Sequence, residues 1–463
     1  MSNIGSTSRR TWISLGSAHS RSILALGATL VVVGWLLSTV PGTISEFSTR
    51  ELGVTLLVAT VAGIWIGARS VLLHPVTVVV VVTVAGAVLG RGAFIVGHRF
   101  GLTALGSELA DLIIGLAVLV TTLAIGRARR SGPRPTDLLV AVAVWAFLMV
   151  DLRILQGSAF RDLGIYLRAG NDFVGGQSAY TTVPLTAIPA DTAQFPFVYP
   201  PFTLPFFGLL AALPRTLVVA AWEIASLSSA ILALRWFGVA WRWCPVLLLW
   251  PPFVEGIWVG NVAVPSLLFL AAASRAAWVL VFGPVFKLQF AVPALWILRE
   301  RRWRDLAVGA GVLAGLALIT LPLVGIRAWT TWVEALRAFQ ATEANIPAMA
   351  GAPLSIEISF PVYVTCAVVA IVIGLVAGGR RGLARLAVAS VVASPSLYRH
   401  GLLPLLPGLL GLDELLLWVA LGIVTNPTGL WLAVGLASIG TFWTHLPATP
   451  PTIHPAVAPV APA

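Results

Sequence analysis

"AAWVLVFGPVFKLQFAVPALWILRERR" (276–302) decides how the chain is threaded. Read as one span entered from Arg275, it would leave Arg299, Arg301, Arg302 and Arg304 on the outer side of a membrane, against the tendency of basic residues to stay cytoplasmic. A hairpin of two short helices, turning near Gly283 to Lys287, restores the parity. Broken helices at membrane depth are tolerated where they line a cavity, and they point to a binding site.

The composition explains why a membrane enters at all. The 463 residues are 58% hydrophobic and 10% charged, with a mean hydropathy of +0.94. A soluble domain carries roughly a quarter charged residues. Apolar runs of about 20 residues, the length that crosses a hydrocarbon core, recur from "SILALGATLVVVGWLLSTV" in the 22–41 run to 427–443. The expected fold is therefore all-α, a polytopic integral membrane protein of about eleven to thirteen crossings by the window length above. The first run is too long for a cleaved signal peptide and lacks its small-residue cleavage site.

The net charge of +11 is spread along the chain. Arg9, Arg10 and Arg21, then Arg127 to Arg134, Arg299 to Arg304 and Arg380 to Arg385 flank apolar runs. Such clusters mark cytoplasmic ends and attract anionic lipid, whereas nucleic-acid binding would gather them on one polar surface. Membrane lipids are thus expected partners, and nucleic acid is not. Cys244 and Cys366 both lie in apolar runs and provide neither a disulfide framework nor a metal site.

Threading from the inside, the runs 22–41, 53–68, 72–90 and 108–126 return the chain to the cytoplasm, and 137–155 crosses outward. The segment 156–200 is then extracytoplasmic, as is a second weakly apolar segment, 324–357. In the latter, "AWTTWVEALRAF" (328–339) has the spacing of an interfacial amphipathic helix. Three regions follow: a four-span extension over 1–136, a core membrane domain over 137–443 and a Pro-rich disordered tail over 444–463.

Chemistry-bearing residues collect in the outer segments. Asp162 stands between Arg161 and Arg168, which favour its ionised form. Asp172 reads as a solvated loop residue. Of the chain's five tyrosines, Tyr166, Tyr180, Tyr199 and Tyr398 lie beside polar residues at outer span ends, where an interfacial aromatic belt also places tyrosine. Lys287 is the only lysine, and an ionisable residue in apolar sequence is a functional candidate, although a snorkelling side chain would look the same. Arg399 and His400 interrupt two further apolar runs and together suit an anion.

The succession "DLGIY" (162–166), "GGQSAYT" (175–181), "FVYPPF" (197–202), "GNVAVPSLL" (260–268), "FKLQFAVPALWILRERRW" (286–303) and "SPSLYRH" (394–400) resembles glycosyltransferase family 87. These are polyprenol-phosphate-mannose-dependent α-(1→2)-mannosyltransferases and related arabinofuranosyltransferases with the GT-C membrane fold. The resemblance spans about 137–443. It implies a plasma-membrane enzyme that moves a sugar, mannose foremost, from a polyprenyl-phosphate donor to an envelope glycolipid or glycan acceptor at the extracytoplasmic face. Asp162 would be the catalytic base, and Lys287, His400 and Arg399 would bind the donor phosphate. Tyr166, Tyr199, Pro200, Pro201, Asn261 and Tyr398 would shape the pocket. Neither a cofactor nor a metal is expected. Arabinofuranosyl transfer and a non-enzymatic lipid or sugar transporter are the alternatives.

Overall fold

The computed structural model describes single residues within 140–155 and then residues 157–188, 195–345, 358–394, 397–423 and 427–443. The four-span extension expected over 1–136 and the Pro-rich tail expected over 444–463 lie outside the described residues.

Helix dominates, and no strand occurs among the described residues. The segment after residue 156 contains helix α1 (Arg161–Val174), ended by Gly175 and Gly176. It packs against α2 (Leu204–Ala211), which precedes the long apolar α3 (Arg215–Trp236). Two short helices follow, α4 (Pro251–Trp258) and α5 (Ala263–Ala272).

The decisive stretch is broken as expected. A 3₁₀ turn over Ala277–Phe282 and one helical turn over Gly283–Phe286 stop at Lys287, whose backbone is extended (φ −153°, ψ 114°). The chain resumes through Leu288–Phe290 into α6 (Ala291–Arg299). Ala277–Phe282 and α6 touch each other. In one straight helix their midpoints would be about 20 Å apart at 1.5 Å per residue, so the chain folds back between them.

Helix α7 (Trp303–Asn345) is interrupted at Gly325, which takes φ 71° and ψ 159°. The break divides it by composition. The part before Gly325 is apolar and exposes Val312, Ile319 and Leu323, and its length of about 33 Å matches a hydrocarbon core. The part after it carries "AWTTWVEALRAF" and packs Trp332 against residues 195–199, with Trp332 Nε1 donating to the Val198 carbonyl at 3.0 Å. This is the helix expected from the aromatic spacing. Helices α8 (Phe360–Val376), α9 (Gly379–Val392), α10 (Glu414–Ile423) and α11 (Pro427–Trp443) complete the described fold.

Among the described residues, only α3 and the Trp303–Ala341 run are long and apolar enough to cross a membrane by themselves. The other apolar stretches are shorter helices, cut by turns and prolines. Regular spans of about 20 residues, the expectation from composition, are therefore the exception in the described core. Two groups of buried side chains organise it. The larger joins α3, α5, α6, α9 and α11, and the smaller gathers the aromatic residues of α1, α2 and 195–199.

Candidate active site

Helix α4 is the spine of the site. Its C-terminal carbonyls would have no partner within the helix, nor would the first N–H groups of α1. Each set satisfies the other: Phe160 N donates to Trp258 O at 2.8 Å, and Asp162 N and Leu163 N donate to Val259 O at 2.8 and 3.3 Å. Phe160 pays in strain, as a buried non-glycine residue at φ 54° immediately before the acid.

The turn that follows α4 then meets Asp162. Gly260 has φ 71°, and a Cβ there would come within 2.8 Å of Leu163 Cβ, so a side chain is excluded. Asn261 donates from Nδ2 to Asp162 Oδ2 at 2.7 Å, while its Oδ1 accepts the Ala263 N–H at 2.8 Å at the start of α5. That second bond fixes which way the amide points. Arg161 Nε donates to Asp162 Oδ1 at 2.9 Å. Burial alone would lower the Arg161 pKa, but the charge and hydrogen bond of Asp162 raise it overall. Asp162 is buried, with each oxygen holding one donor. A carboxylate has about four lone-pair positions, so acceptor capacity remains.

Tyr166 lies one turn further along α1, and its hydroxyl is 3.0 Å from that of Tyr199. Tyr180 donates to the Tyr199 carbonyl at 2.9 Å. Pro200 continues the chain in an extended conformation (φ −60°, ψ 150°) before Pro201 starts a 3₁₀ turn. This path folds 195–199 back over Tyr166. Trp222 supports the arrangement by donating from Nε1 to the Gly260 carbonyl at 3.0 Å.

A cationic pole faces the acid. Lys287 Nζ is buried and has no protein hydrogen-bond partner, and the same is true of Gln289 Oε1. Both flank Gly401: a Cβ there would lie 3.2 Å from Lys287 Nζ and 3.5 Å from Gln289 Oε1. Gln289 Nε2 donates to the Gly401 carbonyl at 3.0 Å. The neighbouring His400 is held by Glu255, whose Oε2 accepts the His400 backbone N–H at 2.9 Å and lies 3.1 Å from Nδ1. With Nδ1–H committed to Glu255, Nε2 is the imidazole nitrogen left for a ligand. The Tyr398 ring stacks on His400, with centroids 5.7 Å apart.

The sequence-derived residues thus fall into two adjoining groups, Asp162 with Asn261, Tyr166 and Tyr199, and Lys287 with His400 and Tyr398. Arg399 joins the second group through Glu255, on which its charge acts, and its charge also acts on Asp151. Asp151 is buried, with neither carboxylate oxygen hydrogen-bonded. Glu255 and Gln289 were not singled out by the sequence reading. An acid inside the apolar run "PPFVEGIWVG" (251–260) was the available signal for Glu255.

Residues 197–398 match the family model described as Glycosyltransferase family 87. A 219-residue stretch is 27% identical to the polyprenol-phosphate-mannose-dependent alpha-(1-2)-phosphatidylinositol pentamannoside mannosyltransferase of Mycolicibacterium smegmatis, covering 44% of this chain and 53% of the relative. The chain therefore aligns with about half the length of that relative. No solved structure matches. The family match takes in Tyr199, Glu255, Asn261, Lys287 and Tyr398 and stops short of Asp162 and His400. Over residues 197–398, the stretch that builds most of this site, the chain is similar to glycosyltransferase family 87.

Proposed function

We propose that the chain is a polytopic membrane glycosyltransferase that moves mannose from a polyprenyl-phosphate donor to a hydroxyl of an envelope glycolipid or glycan at the extracytoplasmic face. The observation that carries this reading is the pairing of poles: an aligned carboxylate with acceptor capacity left, beside a buried ammonium without a protein partner. The match to the family model supports the reaction class, and the relative's name supports the donor.

The chemistry follows from the two poles. Asp162 takes the proton of the acceptor hydroxyl while that oxygen attacks the anomeric carbon. The bond from that carbon to the phosphate oxygen breaks, and polyprenyl phosphate leaves with one more negative charge. One carboxylate suffices, because the leaving phosphate needs no proton, unlike the leaving alcohol in glycoside hydrolysis. Lys287 offsets the growing phosphate charge, and His400, in the doubly protonated form that its pairing with Glu255 favours, donates from Nε2–H as a further contact. Arg399 is the third donor-phosphate residue of this reading, acting by its charge. Tyr166, Tyr199, Pro200 and Pro201 shape the wall beside Asp162, and Tyr398 positions His400.

The test is transfer of labelled sugar from polyprenyl-phosphate mannose by the purified full chain. Incorporation into a lipid-linked mannoside supports the reading. Transfer only from the corresponding arabinofuranosyl donor moves it to the pentose alternative, and transfer from neither overturns it. The outward placement is checked separately, in a background with Cys366 replaced. A cysteine at Ser178 should react with an impermeant thiol reagent in intact cells, and one at Ser131 should not. The reverse labelling contradicts that orientation.

A further inference from the structure

Beside Asp162 on helix α1 lies a cavity of about 240 Å³ that the proposed chemistry does not use. Ile165, Arg168, Ala169 and Asp172 form its helical wall, and Ser178, Thr181, Phe195 and Phe197 are among the residues that face them. Asp162, Ile165, Ala169 and Asp172 follow the three-and-four spacing that puts residues on one side of a helix. The cavity therefore lies along the stripe that begins with the carboxylate. Its wall starts about 4.5 Å along the axis from Asp162, at Ile165, and ends at Asp172 at about 15 Å, room for a sugar ring beyond the one at the carboxylate.

Arg161 joins the two places physically. Its Nε binds Asp162 Oδ1 at 2.9 Å, and its guanidinium carbon lies 5.3 Å from the centroid of the Phe195 ring. Arg168 secures the same residue from the other side by donating from Nη2 to the Phe195 carbonyl at 3.3 Å.

The lining decides the ligand class. One arginine and one carboxylate balance each other in charge, and the carboxylate opposes an anion. None of the side-chain hydrogen bonds or ion pairs among the described residues uses Asp172. A carboxylate that only accepts suits neighbouring sugar hydroxyls, which donate to it by charge-assisted hydrogen bonds. Phe195, half-buried, gives the lining an aromatic surface for the C–H side of a pyranose ring, backed by the buried Phe197. Ser178 and Thr181 add hydroxyls at the rim. Asp172, a solvated loop residue by sequence, is thus a half-buried member of a cavity wall.

We propose that this cavity binds an uncharged hexose unit of the acceptor next to the one that carries the attacking hydroxyl, with Asp172 and Arg168 as its polar contacts. The inference rests on the glycosyltransfer reading above for the role of the sugar, but binding is measurable without turnover. Methyl α-D-mannopyranoside is the probe, followed by saturation-transfer NMR on the solubilised full chain without donor. The wild type should bind it saturably, and Asp172→Ala should weaken binding about ten-fold or more, the scale of one hydrogen bond to a charged group. Thr181→Trp, which fills the cavity from the loop side, should act alike if Asp172→Ala does not fold. In steady-state transfer, both should raise KM for the acceptor at least ten-fold relative to KM for the donor.

Equal binding by the wild type and folded variants overturns the proposal. So does the lack of saturable binding to the wild type, or displacement of the glycoside by inorganic phosphate. Saturable binding that the variants lose, in a chain that transfers no sugar, keeps the subsite and sinks the glycosyltransfer reading alone.

Discussion

The two poles of the site are built in opposite ways. At the acid pole each oxygen of Asp162 is met by a protein donor, Arg161 Nε on one side and Asn261 Nδ2 on the other. At the cationic pole Lys287 Nζ and Gln289 Oε1 are buried without protein hydrogen-bond partners, next to a glycine. Buried polar groups in folded proteins are almost always satisfied, and exceptions call for a functional explanation. A base must be aimed before substrate arrives, which requires fixed partners. A group meant to meet a phosphate leaves its hydrogen-bonding capacity to that ligand. The contrast separates orientation from binding.

The largest expected effect breaks the acid pole. Asp162→Asn retains the size and one hydrogen-bonding oxygen but removes the proton acceptor, so transfer should fall by about 10² to 10⁴-fold. Single-turnover transfer with donor bound checks this, and a loss of less than about ten-fold would move the base elsewhere, with Asp151 the next acid to replace.

Orientation comes next. Asn261→Ala removes a donor to Asp162 and the acceptor for the Ala263 N–H. Loss of a hydrogen bond to a charged group costs about 1.5–3 kcal/mol, which corresponds to a fall in kcat of about 10 to 100-fold. An unchanged kcat would show that Arg161 alone aligns the acid. Glu255→Ala should instead act mainly through KM for the donor, because it frees the His400 ring and leaves its backbone N–H unpaired. A drop in kcat with donor KM intact would place Glu255 with the acid pole.

Smaller effects are expected in the supports. Gly260→Ala forces a Cβ toward Leu163 at φ 71°, a strain of about 1–3 kcal/mol that should appear as a lower Tm. Tyr166→Phe removes a bond between two neutral hydroxyls, worth about 1 kcal/mol. Its thermal shift should be smaller than that of Gly260→Ala, and the reverse order would make the tyrosine pair the main support of α1.

What was legible in the sequence follows the range of the interactions. Asp162 and Arg161 were readable because they are neighbours in the chain. The break at Lys287 was readable because arginine placement forbids a single span. The aromatic spacing of 328–339 announced a helix. The family resemblance brought Asn261 into the pocket, but not its bond to Asp162, which closes across 99 residues. Glu255 meets His400 across 145 residues, and no local spacing records such a meeting. Asp172 was misplaced because a polar residue before two glycines looks like loop, whereas α1 continues through Val174 and turns it toward the cavity. The short, interrupted helices were also hidden, since hydropathy registers apolar length but not the turns within it.

The division of labour between the poles is tested most directly by donor affinity in two variants. Equilibrium binding of polyprenyl-phosphate mannose is measured for the wild type, Asp162→Asn and Lys287→Ala, each shown to be folded by its thermal transition. Asp162→Asn should bind the donor as the wild type does, while Lys287→Ala should bind it at least ten-fold more weakly, through loss of a charge-assisted contact to the phosphate. Wild-type affinity in Lys287→Ala, or a loss confined to Asp162→Asn, would contradict the assignment of the donor phosphate to the lysine and of proton transfer to the acid.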